Sequence, residues 1–272
     1  MKLTVLGSGT LLPDDDHRSA SHLLRGDGIQ LLLDCGSGTV HGMDRYRVDW
    51  RALTHLFISH FHTDHFGDLP ALLWALKHGV TAGRVEPLTL LGPKGLAARL
   101  DGLSRVFGEY VADPGFPLQI VELRPGQRWQ ASPQAFQLSV HEARHTSEAL
   151  AVRVDWDGGG LGYTGDTGPL PALESFFSGV DLLVAECAVA DSSGVETHLS
   201  PTSVAELARG ADPSCLLLTH LYPEVDRKGL EDHIRALGFT GSVFVPRDGT
   251  TVEWVPHRGP VLVEESSTGP SN

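Results

Sequence analysis

The run Leu53-Thr54-His55-Leu56-Phe57-Ile58-Ser59 leads directly into His60-Phe61-His62-Thr63-Asp64-His65. A short, continuous apolar run is the mark of a strand buried on both faces, hence of a sheet covered by other layers. At its end stand three histidines and one aspartate within six positions. Imidazole nitrogen and carboxylate oxygen are preferred donors for zinc and neighbouring divalent ions. His60 and His62 are two residues apart, so an extended chain can aim both the same way. Asp64 and His65 follow on a turn, where the chain can redirect them toward a second ion. Of the 14 histidines in the chain, this group has the spacing of a metal site.

Other short apolar runs share the pattern. Leu3 to Leu6 ends in Gly7-Ser8-Gly9-Thr10, and Ile29 to Leu33 ends in Asp34-Cys35-Gly36-Ser37-Gly38. Helical spacing predicts a helix over Asp68 to Lys77, through Leu69, Leu72, Leu73 and Leu76. A second helix is expected after Pro93-Lys94, a third after Ser200-Pro201-Thr202, and a fourth over Glu224 to Leu237. The stretch from Pro117 to Thr164 reads as consecutive strands. Asp157-Gly158-Gly159-Gly160 marks a hairpin turn between Ala149–Trp156 and Leu161–Thr164. Sheets packed together, with helices outside, suit this order. Residues 259–272, rich in Ser, Pro, Gly and Glu, are expected to form a mobile C-terminal tail, leaving 1–258 as a single domain.

Composition narrows the function classes. The 272 residues are 41% hydrophobic with a net charge of -13. No run of Lys or Arg offsets that charge, which disfavours extended nucleic-acid binding. Cys35, Cys187 and Cys215 are odd in number and widely spaced, so a disulfide framework is not expected and a reducing, cytoplasmic setting fits. No stretch approaches the ~20 apolar residues that span a bilayer, and the N-terminal apolar run is too short for a signal peptide.

The order His-x-His-x-Asp-His, followed by Phe66-Gly67-Asp68-Leu69, resembles the signature of the metallo-β-lactamase fold superfamily. Ala143-Arg144-His145-Thr146-Ser147, Thr164-Gly165-Asp166-Thr167 and Leu218-Thr219-His220 resemble its later segments, so the likeness covers most of the chain. It implies an α/β fold, a four-layer αββα sandwich. It implies that one ion is held by His60, His62 and His145, another by Asp64, His65 and His220, and that Asp166 bridges them. His141 competes with His145, and Thr146-Ser147 favours the latter. Zinc, manganese and iron all accept this donor set. His55, His78, His233 and His257 lack such context and read as solvated or core histidines.

Within the superfamily, the glycine-rich opening and the segment His198-Leu199-Ser200 resemble the ribonuclease Z branch. There the matching histidine assists the leaving group, an assignment that suits an imidazole near neutral pH. Glu186, in Val184-Ala185-Glu186-Cys187, occupies the place of that branch's acidic box and is expected to orient His198. The resemblance implies a binuclear metal-dependent hydrolase, a phosphodiesterase whose metal-held hydroxide, oriented by Asp64, attacks phosphorus. Only 21 positions separate His145 from Asp166. This leaves no room for the protruding arm that grips transfer RNA in many enzymes of the branch. The expected substrate is therefore a small or short nucleotide phosphodiester rather than transfer RNA, and related enzymes are often homodimers. A lactonase or other carboxylic-ester hydrolase on the same ions is the alternative. A metal-stabilised binding module is the non-enzymatic one.

Overall fold

The computed structural model describes residues 1–26, 28–79, 83–131 and 135–263. One sheet is built from β1 (Lys2–Gly7), β2 (Ser21–Gly26), β3 (Ile29–Leu33), β4 (His55–Phe57), β5 (Leu88–Pro93), β6 (Leu118–Leu123), β14 (Thr251–Val255) and β15 (Gly259–Val263). The other holds β7 (Arg128–Gln130), β8 (Gln137–Glu142), β9 (Leu150–Trp156), β10 (Gly159–Tyr163), β11 (Leu182–Glu186), β12 (Cys215–Thr219) and β13 (Ser242–Phe244). Their orders are β15-β14-β1-β2-β3-β4-β5-β6 and β13-β12-β11-β10-β9-β8-β7.

The apolar runs are continuous because both faces of these strands are buried. In β3, Leu31 and Leu33 join the core between the sheets, while Leu32 joins a second core under the helices. In β11, Leu182 and Val184 face the first core, and Leu183 and Ala185 face a third on the far side. This period of two along fully apolar strands yields an αββα sandwich, as the sequence pattern and resemblance implied.

Each sheet is antiparallel on one side and parallel on the other. The parallel pairs run β3-β4-β5-β6 and β10-β11-β12-β13. Parallel neighbours require crossovers. Helices supply them: α1 (Thr39–Arg45), the single turn α2 (Thr63–Phe66), α3 (Leu69–His78), α4 (Leu96–Phe107), α5 (Ala172–Phe177), α6 (Pro201–Ala211) and α7 (Leu230–Ala236). The loops leaving the carboxyl ends of β3, β4, β10, β11 and β12 carry the polar residues described below, where open α/β sheets typically present their sites.

Several expectations change. The apolar run Leu53 to Ser59 yields only a three-residue strand, β4, behind a 3-10 turn at Trp50–Ala52. The helix expected over Glu224 to Leu237 begins at Leu230. Ahead of it the Asp226 carboxylate accepts the Lys228 backbone N–H at 3.1 Å, a local bond that competes with helix. The hairpin turn is Asp157-Gly158 alone; Gly159 and Gly160 pair in β10 opposite Trp156 and Asp155. Residues 259–263 are not tail but β15, paired along β14; residues 264–272 lie outside the described residues. Between His145 and Asp166 there is one hairpin, β9-β10, and no arm. The three cysteines are buried and unpaired. Among the described residues no helix is long and apolar enough to cross a membrane.

Candidate metal centre

The β4 strand ends three residues before His60, and the chain then turns into α2. His62 is the residue before that helix, still extended at φ -66 and ψ 150, whereas Asp64 and His65 lie inside it. A change from extended to helical backbone between His62 and Asp64 separates the two pairs of side chains. The loop between β8 and β9 brings His145, the loop after β10 brings Asp166, and His220 follows β12 directly. His220 takes a φ of 55, and Ser8 holds it there by accepting its backbone N–H at 2.7 Å.

These side chains converge. His60, His62, His145 and Asp166 form one group of donor atoms within 4.8 Å of one another, and Asp64, His65 and His220 form a second. Asp166 lies between them: Oδ2 is 3.7 Å from His60 Nε2, 3.7 Å from His145 Nε2 and 3.5 Å from His220 Nε2. Its Oδ1 is 3.2 Å from His65 Nε2. All seven residues of the expected donor set are thus brought together. His141 is not among them. It sits on the face of β8 opposite Val140, with its ring 5.3 Å from that of Phe176. His55 packs between Trp129 and Phe136, and His233 faces Asp191 at the surface.

The donor chemistry fits divalent cations. His60 Nε2, His65 Nε2 and Asp166 Oδ1 are buried without a hydrogen-bond partner. Buried polar atoms are nearly always satisfied, so this convergence calls for a shared cation. The opposite ring nitrogens are fixed. His65 Nδ1 is 2.7 Å from Asp34 Oδ2, and His145 Nδ1 is 3.1 Å from the Thr197 carbonyl. Each acceptor draws a ring proton to Nδ1, which makes Nε2 the nitrogen a cation would take, in exchange for any proton it carries. Burial opposes charge on His65, yet Asp166 and Asp34 outweigh it and hold its pKa well above the ordinary histidine value. The field at this point therefore favours positive charge. Burial raises the Asp64 carboxyl, but the bond to His220 and the charge of His65 bring it down to about 2.

Asp34 escaped sequence reasoning, where it read only as part of a glycine-rich turn. It is buried at φ 60, where aspartate and asparagine are among the few residues tolerated. Its carboxylate accepts the Ser59 backbone N–H and hydroxyl, both at 2.7 Å, and the Tyr163 hydroxyl at 2.6 Å, besides facing His65. An acid ending an apolar run, Leu31-Leu32-Leu33-Asp34, was the available signal.

A further pair stands beside the donor groups. Glu186, the last residue of β11, is buried and 3.0 Å from His198 Nδ1. It also accepts the backbone N–H groups of Thr167 at 2.6 Å and Leu199 at 3.1 Å. The His198 ring stacks on His220 at 5.7 Å and 14°, and lies 4.8 Å from that of His145. Burial lowers the His198 pKa, but the Glu186 carboxylate prevails and raises it. Tyr222 packs edge-on against both rings.

Comparison with known proteins follows the same lines. Residues 30–221 match the family described as the beta-lactamase superfamily domain. The chain is similar to a ribonuclease Z of Mycobacterium marinum, 28% identical over 261 residues, covering 88% of this chain and 92% of that one. It is similar in structure to the metallo-β-lactamase fold protein YhfI of Bacillus subtilis, with a TM-score of 0.79 and 25% identity over 92% of this chain and 98% of that one. The short form of human tRNase Z has the same fold, with a TM-score of 0.75 at 22% identity, over 93% and 99% of the two chains.

Proposed function

The chain belongs to the beta-lactamase superfamily domain family, and from that premise we propose that it is a binuclear metal-dependent phosphodiesterase of ribonuclease Z-like type, acting on small or nucleotide phosphodiesters. His60, His62 and His145 would hold one divalent ion; Asp64, His65 and His220 would hold the other; Asp166 would join them. Two such ions, zinc, manganese or iron, would polarise the phosphoryl oxygens and acidify a water. The carboxylate of Asp64, ionised at any working pH with a pKa of about 2, would orient the attacking water by accepting its hydrogen bond.

The observation that carries the phosphodiester reading is the Glu186–His198 pair. An alkoxide leaves phosphorus poorly unless protonated, and a raised-pKa imidazole beside both donor groups can supply that proton near neutral pH. A carboxylic ester with an acidic leaving group would make little use of it. The short β9-β10 hairpin supports a substrate smaller than transfer RNA. Ribonuclease Z relatives nonetheless make precursor transfer RNA an essential arm of any assay. The three unpaired thiols support a reducing, cytoplasmic setting.

The test is elemental analysis of the purified protein, coupled to activity on bis-nitrophenyl phosphate, alkyl phosphodiesters, a homoserine lactone and precursor transfer RNA. Two ions per chain and phosphodiester turnover are expected. His198→Ala should retain the metals and lose activity mainly on alkyl leaving groups. Equal losses on nitrophenyl and alkyl esters would remove the proton-donor role, and lactone turnover alone would overturn the reading.

A further inference from the structure

Tyr222 stands half-buried beside the candidate metal centre, two residues after His220. We propose that its hydroxyl is a catalytic group, donating a hydrogen bond to a non-bridging phosphoryl oxygen of the bound diester. The proposal rests on the phosphodiesterase reading and adds a donor to it.

The ring lies where the reacting group must sit. Its centroid is 5.7 Å from that of His220 at 76°, and 6.2 Å from that of His198 at 72°. Those are contact distances for edge-to-face rings. One donor atom each of Asp166, His198 and His220 lies within 4.8 Å of the others. A diester whose phosphoryl oxygens reach the donor groups and whose leaving oxygen reaches His198 therefore lies against the two imidazoles on which Tyr222 packs.

The side chain stands on fixed backbone. Leu221, just before it, is buried. The Tyr222 N–H donates to the Ala188 carbonyl at 3.2 Å, and the Tyr222 carbonyl accepts the Val225 N–H at 3.1 Å. Ala188 is in turn tied to Glu186, whose carboxylate accepts its N–H at 3.3 Å. The element that orients His198 thus also holds Tyr222.

The hydroxyl has a proton to give and no acceptor. Tyr46 and Tyr163 use their hydroxyls on Arg18 and Asp34, whereas that of Tyr222 has no hydrogen-bond partner among the described residues. Burial raises its pKa, and so do the charges of Asp64, Asp166 and Glu186. Those charges reach it only because the phenol faces the centre. Asp64 acts on it more strongly than Glu186, which sets the hydroxyl toward the phosphoryl group rather than toward the leaving oxygen that His198 serves. A phenol is protonated near neutral pH and so acts as a donor. Held in place before the substrate arrives, such a donor stabilises an oxyanion without reorganisation.

The test is Tyr222→Phe, which keeps the ring and its packing, assayed on bis-nitrophenyl phosphate and an alkyl phosphodiester. Losing one hydrogen bond to a charged oxygen should lower kcat/KM roughly 10- to 100-fold. The loss should be equal on the two esters, in contrast to His198→Ala, with metal content and thermal stability unchanged. Full activity overturns the proposal. So does a loss confined to the alkyl ester, which would make Tyr222 a positioning residue for His198, and so does a loss of metal. Should the unaltered protein cleave neither ester, the phosphodiesterase reading fails, and calorimetry with inorganic phosphate on the metal-loaded full chain decides the hydroxyl separately. Phosphate should bind roughly 10-fold more weakly to Tyr222→Phe, which would keep the hydroxyl as an oxyanion donor. Equal affinity overturns that role.

Discussion

Replacing Asp34 by asparagine should loosen the candidate metal centre from behind without touching a donor residue. The Asp34 carboxylate meets four donors: the Ser59 N–H on Oδ1, and the Ser59 hydroxyl, the Tyr163 hydroxyl and His65 Nδ1–H on Oδ2. An asparagine amide offers one oxygen, and its NH₂ must face at least one of those donors. A buried donor left without an acceptor costs about 1–3 kcal/mol. Removing the charged partner behind a ligating histidine costs roughly 10- to 100-fold in metal affinity, or about 1.4–2.8 kcal/mol. The φ of 60 is tolerated by asparagine, so backbone strain does not enter, as it would with alanine. The assay is a competitive metal titration against a chromophoric chelator, with thermal unfolding run in parallel. Tyr163→Phe is the control, since it withdraws one donor and leaves the carboxylate and His65 in place; its effect should stay within about 1 kcal/mol. The reasoning is refuted if Asp34→Asn melts earlier yet binds metal as tightly as the unaltered protein. In that case Asp34 holds the fold and not the ligand.

Gly36→Ala should also weaken metal binding, because the added Cβ would sit 2.0 Å from the Asp64 carbonyl oxygen and 2.7 Å from Ser19 Cβ. The backbone carrying Asp64 would have to move; a variant with unchanged metal affinity and stability would show that it yields freely. Glu186→Gln removes the charge that raises the His198 pKa. The alkaline limb of the pH–rate profile on alkyl phosphodiesters should therefore move to lower pH, with metal content unchanged, and an unmoved limb would detach His198 from proton donation. His55 is half-buried between Trp129 and Phe136, and that partial burial lowers its pKa to about 4 from 6.5. Its contribution is present in full above pH 6.5 and is lost as pH falls toward 4. Allowing for its partial exposure, the loss is about 1–2 kcal/mol. His55→Phe should flatten the dependence of urea-unfolding stability on pH across that window, and an unchanged slope would count against burial as the cause.

Much of this was local and therefore legible in the residues. Unbroken apolar runs such as Leu31-Leu32-Leu33 state that both faces of a strand are covered, because successive side chains point to opposite sides. The spacing of His60, His62, Asp64 and His65 concentrates donor atoms, since it spans only six positions of chain. Helix limits were less legible. The Asp226 turn competes with helix through a single side-chain bond, and no periodicity records it.

What only the tertiary structure decided is which distant groups meet. His141 and His145 are equally good donors by type, but the two-residue period of β8 turns His141 toward Phe176, while the loop beyond carries His145 to His62. Glu186 meets His198 across 12 residues, and Tyr163 meets Asp34 across 129. Such contacts depend on strand order and register, which composition and spacing do not encode. The roles of Asp34 and His220 depend further on a positive φ that each holds because of hydrogen bonds from remote strands and loops. The sequence alone determined the kind of atoms available at the strand ends. The packing of two sheets against each other determined where their lone pairs point, and so whether those atoms make one site.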